Sequence, residues 1–384
     1  MARPLVTIPN KAKTPKSSQI DDMAGDVLAA MNKKLKDMPE AFSFLVNANM
    51  IKKWVSSGFD MLDLAISNRP HGGYGYGTVV EFFGLPGTGK SLFAAHALTE
   101  TQKQGGLAVL YDTEKAVGML DFYRSVGLDV EKCIYSDKAR ALEDIFASMD
   151  KLIENVIKTD YEHPVTIVID SVMGATTNVE LESGYGIDPF ATAKAKILSK
   201  AMRKIPSLIA GRNILIIFVN QLKDNIDAVG FGADKYKTTG GTSISFTASL
   251  RLEFKHVGAL KAGDEEVGNR ISVKVRKNRL GPKNRKVVLD MYYDSGGDNY
   301  GSWIQFMKDN GMVSQSGSYY TYKDVDGDVR FQAKELRIML KNDPALRDRI
   351  YKTICDRYIM KYKIGDLSID DVEVIGNELE EDDD

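Results

Sequence analysis

Apolar and polar positions come in blocks along this chain. Six short apolar runs recur, at Val79–Phe83, Leu107–Tyr111, Cys133–Tyr135, Val165–Ile169, Ile214–Val219 and Ser249–Phe254. Helix-like stretches lie between them, among them Ser91–Gln104, Ala139–Ile157 and Ala191–Ile209. Apolar strands alternating with helices predict a mostly parallel sheet covered on both faces, an α/β fold. After Ile271 the pattern changes. Ile271–Arg276 and Lys286–Met291 read as a β pair joined at Gly281-Pro282. From about Trp303 a smaller α+β segment follows, with a hairpin over Tyr319–Val329 and helices over Ala333–Leu340 and Pro344–Lys361. Upstream, residues 56–66 read as a turn and a capped helix. Over Asp21–Met38, Met23, Val27, Met31 and Leu35 recur every four residues, the stripe of a short amphipathic helix. That stripe can pack on the chain's own core or on a neighbouring subunit. The expected divisions are an N-terminal arm and helix (1–49), a core (50–300), a C-terminal domain (301–377) and a tail (378–384).

Composition sharpens this only locally. A hydrophobic fraction of 43% supports a sizeable core, and a net charge of −2 announces no polyanionic partner, so any such site must come from local clustering. Residues 1–20 hold Arg3, Lys11, Lys13 and Lys16 and no acid, a basic arm, whereas 378–384 is acidic. The acidic tail is expected either to aid solubility or to compete with a polyanion for the chain's basic sites. Cys133 and Cys355 have no metal-type spacing, and no apolar run reaches membrane length; both point to the cytoplasm.

The chemistry starts at Gly84-Leu85-Pro86-Gly87-Thr88-Gly89-Lys90-Ser91. This is G-x-x-x-x-G-K-S between a strand and a helix, the context of a phosphate-binding P-loop. Glycines let successive N–H groups face one anion, and the following helix adds its positive end. Lys90 would reach the β- and γ-phosphates of a nucleoside triphosphate, and Ser91 would hold Mg²⁺. Asp170, at the tip of an apolar run, is the expected second Mg²⁺ holder, acting through water. Glu114, just past another run, is a candidate general base or a solvated loop acid. Gln221 can sense a γ-phosphate or simply cap its strand.

Two long inserts, Gly174–Pro189 and 222–241, leave the Asp170 and Gln221 runs and are expected to be structureless. Between Pro189 and Lys223 there is no acid, and Lys196, Ser199 and Arg203 share one helix face. That is a local phosphate-binding footprint. Ile271 to Lys286 is also free of acids and carries seven cations. Lys277 and Arg279, on one side of a strand, are either solvent charges or fingers reaching a neighbour's triphosphate.

In this order the segments resemble the RecA-type recombinase family, bacterial RecA and UvsX-like phage proteins alike, over about residues 50–345. They are Ser-Ser-Gly-Phe-Asp-Met-Leu-Asp-Leu-Ala-Ile (56–66), the P-loop, Tyr-Asp-Thr-Glu (111–114), Val-Ile-Asp-Ser-Val (168–172) and Ser-Lys-Ala-Met-Arg-Lys (199–204). Phe-Val-Asn-Gln-Leu (218–222), Thr-Thr-Gly-Gly (238–241) and Val-Arg-Lys-Asn-Arg (275–279) complete the series. The resemblance implies a RecA-like P-loop core that forms a helical homo-oligomeric filament on single-stranded DNA, with ATP and Mg²⁺ between subunits. It implies a DNA-dependent ATPase that pairs single- with double-stranded DNA in recombination and repair, aided by single-strand-binding and loader proteins.

By the same resemblance Glu114 is the catalytic glutamate and Gln221 the γ-phosphate sensor. The two inserts become DNA-binding loops, with Thr238, Thr239, Gly240 and Gly241 in the second. Ser199 and Arg203, beside Lys196, contact the DNA backbone. Lys277 and Arg279 contact ATP across the interface; Arg279 replaces a family lysine, keeping the charge but not the geometry. Phe246 falls on an interface aromatic, and the 21–38 helix docks on the next subunit. Gly118–Tyr123 carries one residue more than the family's adenine-contacting segment, so the stacking aromatic is Phe122 or Tyr123. A helicase-like motor ring of the same fold, or a non-hydrolysing filament protein that only coats DNA, are the competing readings.

Overall fold

The computed structural model describes residues 51–114, 119–136, 141–183, 191–224, 236–238, 242–294 and 296–361. The expected arm and helix within 1–49 and the acidic tail lie outside the described residues.

β1 (Trp54–Val55) and β2 (Tyr74–Gly75) form a small antiparallel ribbon. The large sheet contains β3 (Thr78–Gly84), β4 (Leu107–Asp112), β5 (Cys133–Ser136), β6 (Val165–Asp170) and β7 (Ile214–Asp224). It continues with β8 (Tyr236–Thr238), β9 (Leu250–Ala262), β10 (Glu265–Asn278), β11 (Lys286–Tyr292) and β12 (Gly296–Gly297). Its order is β12-β11-β10-β9-β3-β7-β6-β4-β5, with β8 paired to the end of β7. From β9 to β5 every pair is parallel, and from β9 to β12 every pair is antiparallel. The expected mostly parallel α/β sheet is therefore present, and the P-loop strand β3 lies at its centre between β7 and β9.

Parallel strands need cover on both faces, and two apolar clusters supply it. On one face Val80 and Phe82 of β3, Leu215 and Ile217 of β7, and Leu250 and Leu252 of β9 pack with Phe93 and Leu98 of the helix Lys90–Lys103. On the other, Val79, Ile167, Ile216 and Phe218 pack on the helices Leu142–Lys158 and Ala191–Ile209. Leu142, Ile145, Phe146, Met149 and Ile153 mark the buried stripe of the first of these helices. Each such side chain contributes about 1.5–3 kcal/mol by leaving water. The first cluster runs on without a break into the C-terminal segment. There Trp303 of the helix Asn299–Asp309 stacks on Tyr351 at 5.5 Å.

The helix over 56–66 begins at Asp60 and ends at Ser67, and its cap is not local. The Asp60 N–H donates to Asn299 Oδ1 at 2.8 Å, and Asp63 gathers Ser56 and Ser57 behind the turn. The strands at 249–254 and 271–276 belong to a hairpin twice that length, β9 and β10, whose far end is exposed. β13 (Val313–Ser316), β14 (Tyr319–Asp324) and β15 (Gly327–Gln332) make a three-stranded sheet, one strand more than the expected hairpin. The last helix ends at Tyr358, short of the expected Lys361.

Both inserts correct the expectation of structureless loops. Within 174–189, Thr177 and Glu180 form a capping box that starts a short helix, Asn178–Glu182. Within 222–241, β7 runs on to Asp224 and β8 folds back on it, Leu222 opposite Thr238. Residues 184–190, 225–235 and 239–241, and with them Thr239, Gly240 and Gly241, lie outside the described residues.

Candidate nucleotide-binding site

The sheet brings its strand ends together at one rim. β3 leads into the P-loop, where Gly87 and Gly89 take φ of 73° and 83°, values that glycine adopts without steric cost. Gly84 lies against β9 so closely that a Cβ there would strike the Phe254 carbonyl oxygen. Lys90 is buried, and its Nζ donates to the Gly84 carbonyl at 3.2 Å and the Leu85 carbonyl at 2.7 Å. Burial lowers its pKa, while Asp170 and Glu114 pull the other way. Thr88 Oγ1 donates to the Leu85 carbonyl, bracing the loop at 2.8 Å. Leu85, Pro86 and Gly87 form its exposed crest.

Asp170 ends β6 next to Ser91, whose hydroxyl favours the charged form of its carboxyl group. Burial pushes the Asp170 pKa up to about 6; the Ser91 hydroxyl opposes this, and the Glu114 and Asp112 charges add to it. A hydroxyl and a carboxylate side by side at a strand tip are hard oxygen donors, and they fit a hydrated Mg²⁺ ion.

The neighbouring tips are laced together. Thr113 Oγ1 donates to the Ser171 carbonyl at 2.7 Å, and the Thr113 N–H donates to the Asp170 carbonyl at 2.8 Å. This fixes the turn that presents Glu114. Its Oε1 accepts two hydrogen bonds, from Ser171 Oγ at 2.6 Å and from Gln221 Nε2 at 2.7 Å. Residues 107 positions apart in sequence thus meet as a carboxylate–amide pair.

A cavity of about 510 Å³ opens over the P-loop, Asp170, Glu114 and Gln221. Phe122 and Tyr123 line one side, their rings edge to face at 5.4 Å. Tyr123 is buried and Phe122 half-buried. Asn269, Tyr292 and Tyr293 from β10 and the end of β11 line it as well. Sequence reasoning missed these three, because they lie at the end of the β10–β11 pair away from the 275–279 segment. The repeated aromatics at 292–293, just beyond a strand, were the available signal.

The basic residues divide by partner. Lys196 and Arg203 are exposed on the helix Ala191–Ile209, and Arg203 Nη1 donates to Ser199 Oγ at 2.8 Å. Lys194 on the same helix, which sequence reasoning passed over, turns inward instead. Its Nζ donates to the Met173 carbonyl at 2.9 Å and also to the Ala175 carbonyl, tying down the start of the first insert. Within 271–286, Arg276 pairs with Glu253 at 2.6 Å. Arg285 lies 4.5 Å over the Tyr358 ring and donates to the Leu64 carbonyl. The acid-free run is therefore not all a binding surface. Lys277 Nζ donates to the Ser245 and Phe246 carbonyls at 2.9 and 2.6 Å, and Arg279 Nη2 reaches the latter at 3.4 Å. Both cations sit on the last turn of the helix Ser243–Thr247, where its dipole is negative. Phe246 itself is 71% exposed.

A central parallel sheet, a glycine loop opening a helix, and a carboxylate and an amide that meet at the same rim of strand ends define a P-loop protein of the RecA fold class. The sequence model of the RecA N-terminal domain matches residues 41–298. Protein RecA of Corynebacterium glutamicum (strain R) is 33% identical over 327 residues, 84% of this chain and 82% of that relative. Protein RecA of Rubrobacter xylanophilus is 33% identical over 79% of this chain and 83% of its own length. Protein RecA of Bifidobacterium breve is 35% identical over 77% and 71%. The chain belongs to the RecA family of recombinases. Among the described residues no helix is long and apolar enough to cross a membrane.

Proposed function

We propose that this protein is a DNA-dependent ATPase that assembles as a helical filament on single-stranded DNA and pairs it with homologous double-stranded DNA. The observation that carries the reading is the Glu114–Gln221 contact of 2.7 Å on the wall of the cavity that also holds Lys90, Ser91 and Asp170. A base and an amide donor thereby share one wall with a phosphate cradle.

ATP is the substrate. Lys90 and the loop N–H groups from Gly84 to Ser91 bind its phosphates; to do so, Lys90 exchanges the Gly84 and Leu85 carbonyls for phosphate oxygens. Ser91 and Asp170 would hold Mg²⁺, which when bound supplies positive charge to the phosphate oxygens. Glu114 accepts a proton from the attacking water, and Ser171 and Gln221 orient its carboxylate. The Gln221 amide can donate to Glu114 or to a γ-phosphate, so nucleotide state can change its partner. Phe122, the less buried of the two candidates, is the better stacking surface for the base. Lys196, Ser199, Arg203 and the second insert from Thr238 to Gly241 contact DNA phosphates. Lys277 and Arg279 reach the ATP of a neighbouring subunit. Single-strand-binding and loader proteins act on the same DNA.

Phosphate release measured with and without single-stranded DNA, beside electron micrographs of the same mixtures, tests this. The expected result is DNA-stimulated turnover and helical filaments. Rings, or filaments without turnover, would replace it with one of the competing readings.

A further inference from the structure

Glu81 is the anomaly of the buried sheet. It lies in the middle of β3, three residues before Gly84, and is fully buried on the face otherwise covered by Val79, Ile216 and Phe218. A carboxylate there is costly unless both oxygens are engaged. Both are. Asn220 Nδ2, itself fully buried on β7, donates to Oε1 at 2.9 Å, and Arg251 Nε on β9 donates to Oε2 at 2.5 Å. The Arg251 guanidinium also lies 4.4 Å over the Phe83 ring.

The bond from Glu81 has a directional effect. An amide that gives its Nδ2 to one partner must turn its Oδ1 to the other side. Asn220 Oδ1 accepts the Gln221 N–H at 3.0 Å. The backbone of Gln221 is thus held by a side chain that the P-loop strand orients. From that position the Gln221 amide reaches Glu114. We propose that Glu81 and Asn220 are positioning residues for the Glu114–Gln221 pair, tying its geometry to the P-loop strand, while Arg251 neutralises Glu81. The inference rests on the ATPase reading above. Neither residue touches the phosphate cradle, so the effect falls on turnover and not on nucleotide affinity.

Two paired replacements separate positioning from packing. In Glu81→Gln/Arg251→Met the ion pair is gone, but an amide oxygen remains for Asn220. In Glu81→Met/Arg251→Met the same charges are removed at similar volume, and the acceptor is lost. DNA-stimulated turnover is expected to stay near wild type in the first pair. In the second, and in Asn220→Ala, kcat is expected to fall on the order of 10–100-fold, as for a displaced catalytic group. KM for ATP, and binding of a fluorescent ATP analogue, are expected to change by less than about threefold in all three, because ground-state binding is untouched. Equal kcat in the two paired variants overturns the inference, as does a loss of kcat that follows the melting temperature instead of the acceptor. A wild-type protein that binds but never hydrolyses ATP removes the ATPase reading itself, and the inference falls with it.

Discussion

Glu114 is exposed, yet it is held by two donors from two other strands, Ser171 and Gln221. Glu114→Gln keeps the shape and removes the carboxylate that the proposed function uses as its base. Its ATP hydrolysis is expected to drop about 10²–10⁴-fold with ATP and DNA binding retained, in a phosphate-release assay beside a nucleotide-binding titration. A variant that loses ATP binding while its bound nucleotide still turns over would remove Glu114 from the role of base. His96 gives a second expectation, this one about stability. Its ring packs edge-on to Phe59 at 5.2 Å, and burial, helped by Lys103, holds its pKa down to about 4 against an ordinary 6.5. A base depressed in the folded state stabilises fully above pH 6.5 and loses that contribution as pH falls towards 4. The loss is of order 2–3 kcal/mol over that window. Urea unfolding across the window should show this slope in the wild type and a shallower one in His96→Leu; parallel curves would exclude the histidine. The P-loop, Asp170, Glu114 and Gln221 were legible in sequence because each sits at a fixed offset from an apolar run. Glu81 was not, since one acid inside Val79–Phe83 carries no sign of burial, and its partners lie 139 and 170 residues away.

The elements follow the same division. Parallel strands announce themselves as unbroken apolar runs, so β3 to β6 were legible nearly to the residue, whereas β7 continues to Asp224, well past its apolar run. The outer half of the β9–β10 hairpin was not. Lys255, His256 and Val257 are exposed there, so backbone pairing continues where apolar patterning has stopped. The helix Asn178–Glu182 was hidden for a different reason: its signal is a capping box, and no apolar stripe supports it. At the β3–β9 pairing, Gly84 faces Phe254 in register, with no room for a methyl group. Gly84→Ala must push these strands apart or distort the loop. The expected cost is roughly 1–3 kcal/mol of stability. Nucleotide affinity should fall with it, because the same residue opens the phosphate cradle. Thermal unfolding with and without ATP checks both, and an unchanged melting temperature would contradict the packing at this pair.

At the scale of the whole molecule, the folded chain uses Lys277 and Arg279 on its own helix, whereas the proposed function sends them to a neighbour. The two roles predict different mixtures. If the cations serve only to cap the helix Ser243–Thr247, Lys277→Ala/Arg279→Ala damages each subunit alone, and no partner can repair it. If they complete a neighbour's site, each interface needs one intact P-loop and one intact cation pair, contributed by different subunits. Lys90→Ala supplies the cations but no cradle, and the double variant supplies the cradle but no cations. Each protein alone is expected to be nearly inactive. In an equal mixture, the double variant provides the cradle at half of the interfaces, and Lys90→Ala faces it at half of those. Head-to-tail assembly therefore predicts about a quarter of the wild-type rate per subunit, since every interface repeats one orientation. The restored rate should vanish on dilution below the assembly concentration, which a defect confined to one subunit would not do. Co-assembly is verified by light scattering on single-stranded DNA. Full co-assembly with no recovered phosphate release would place both cations in their own subunit, as caps on the helix that carries Phe246.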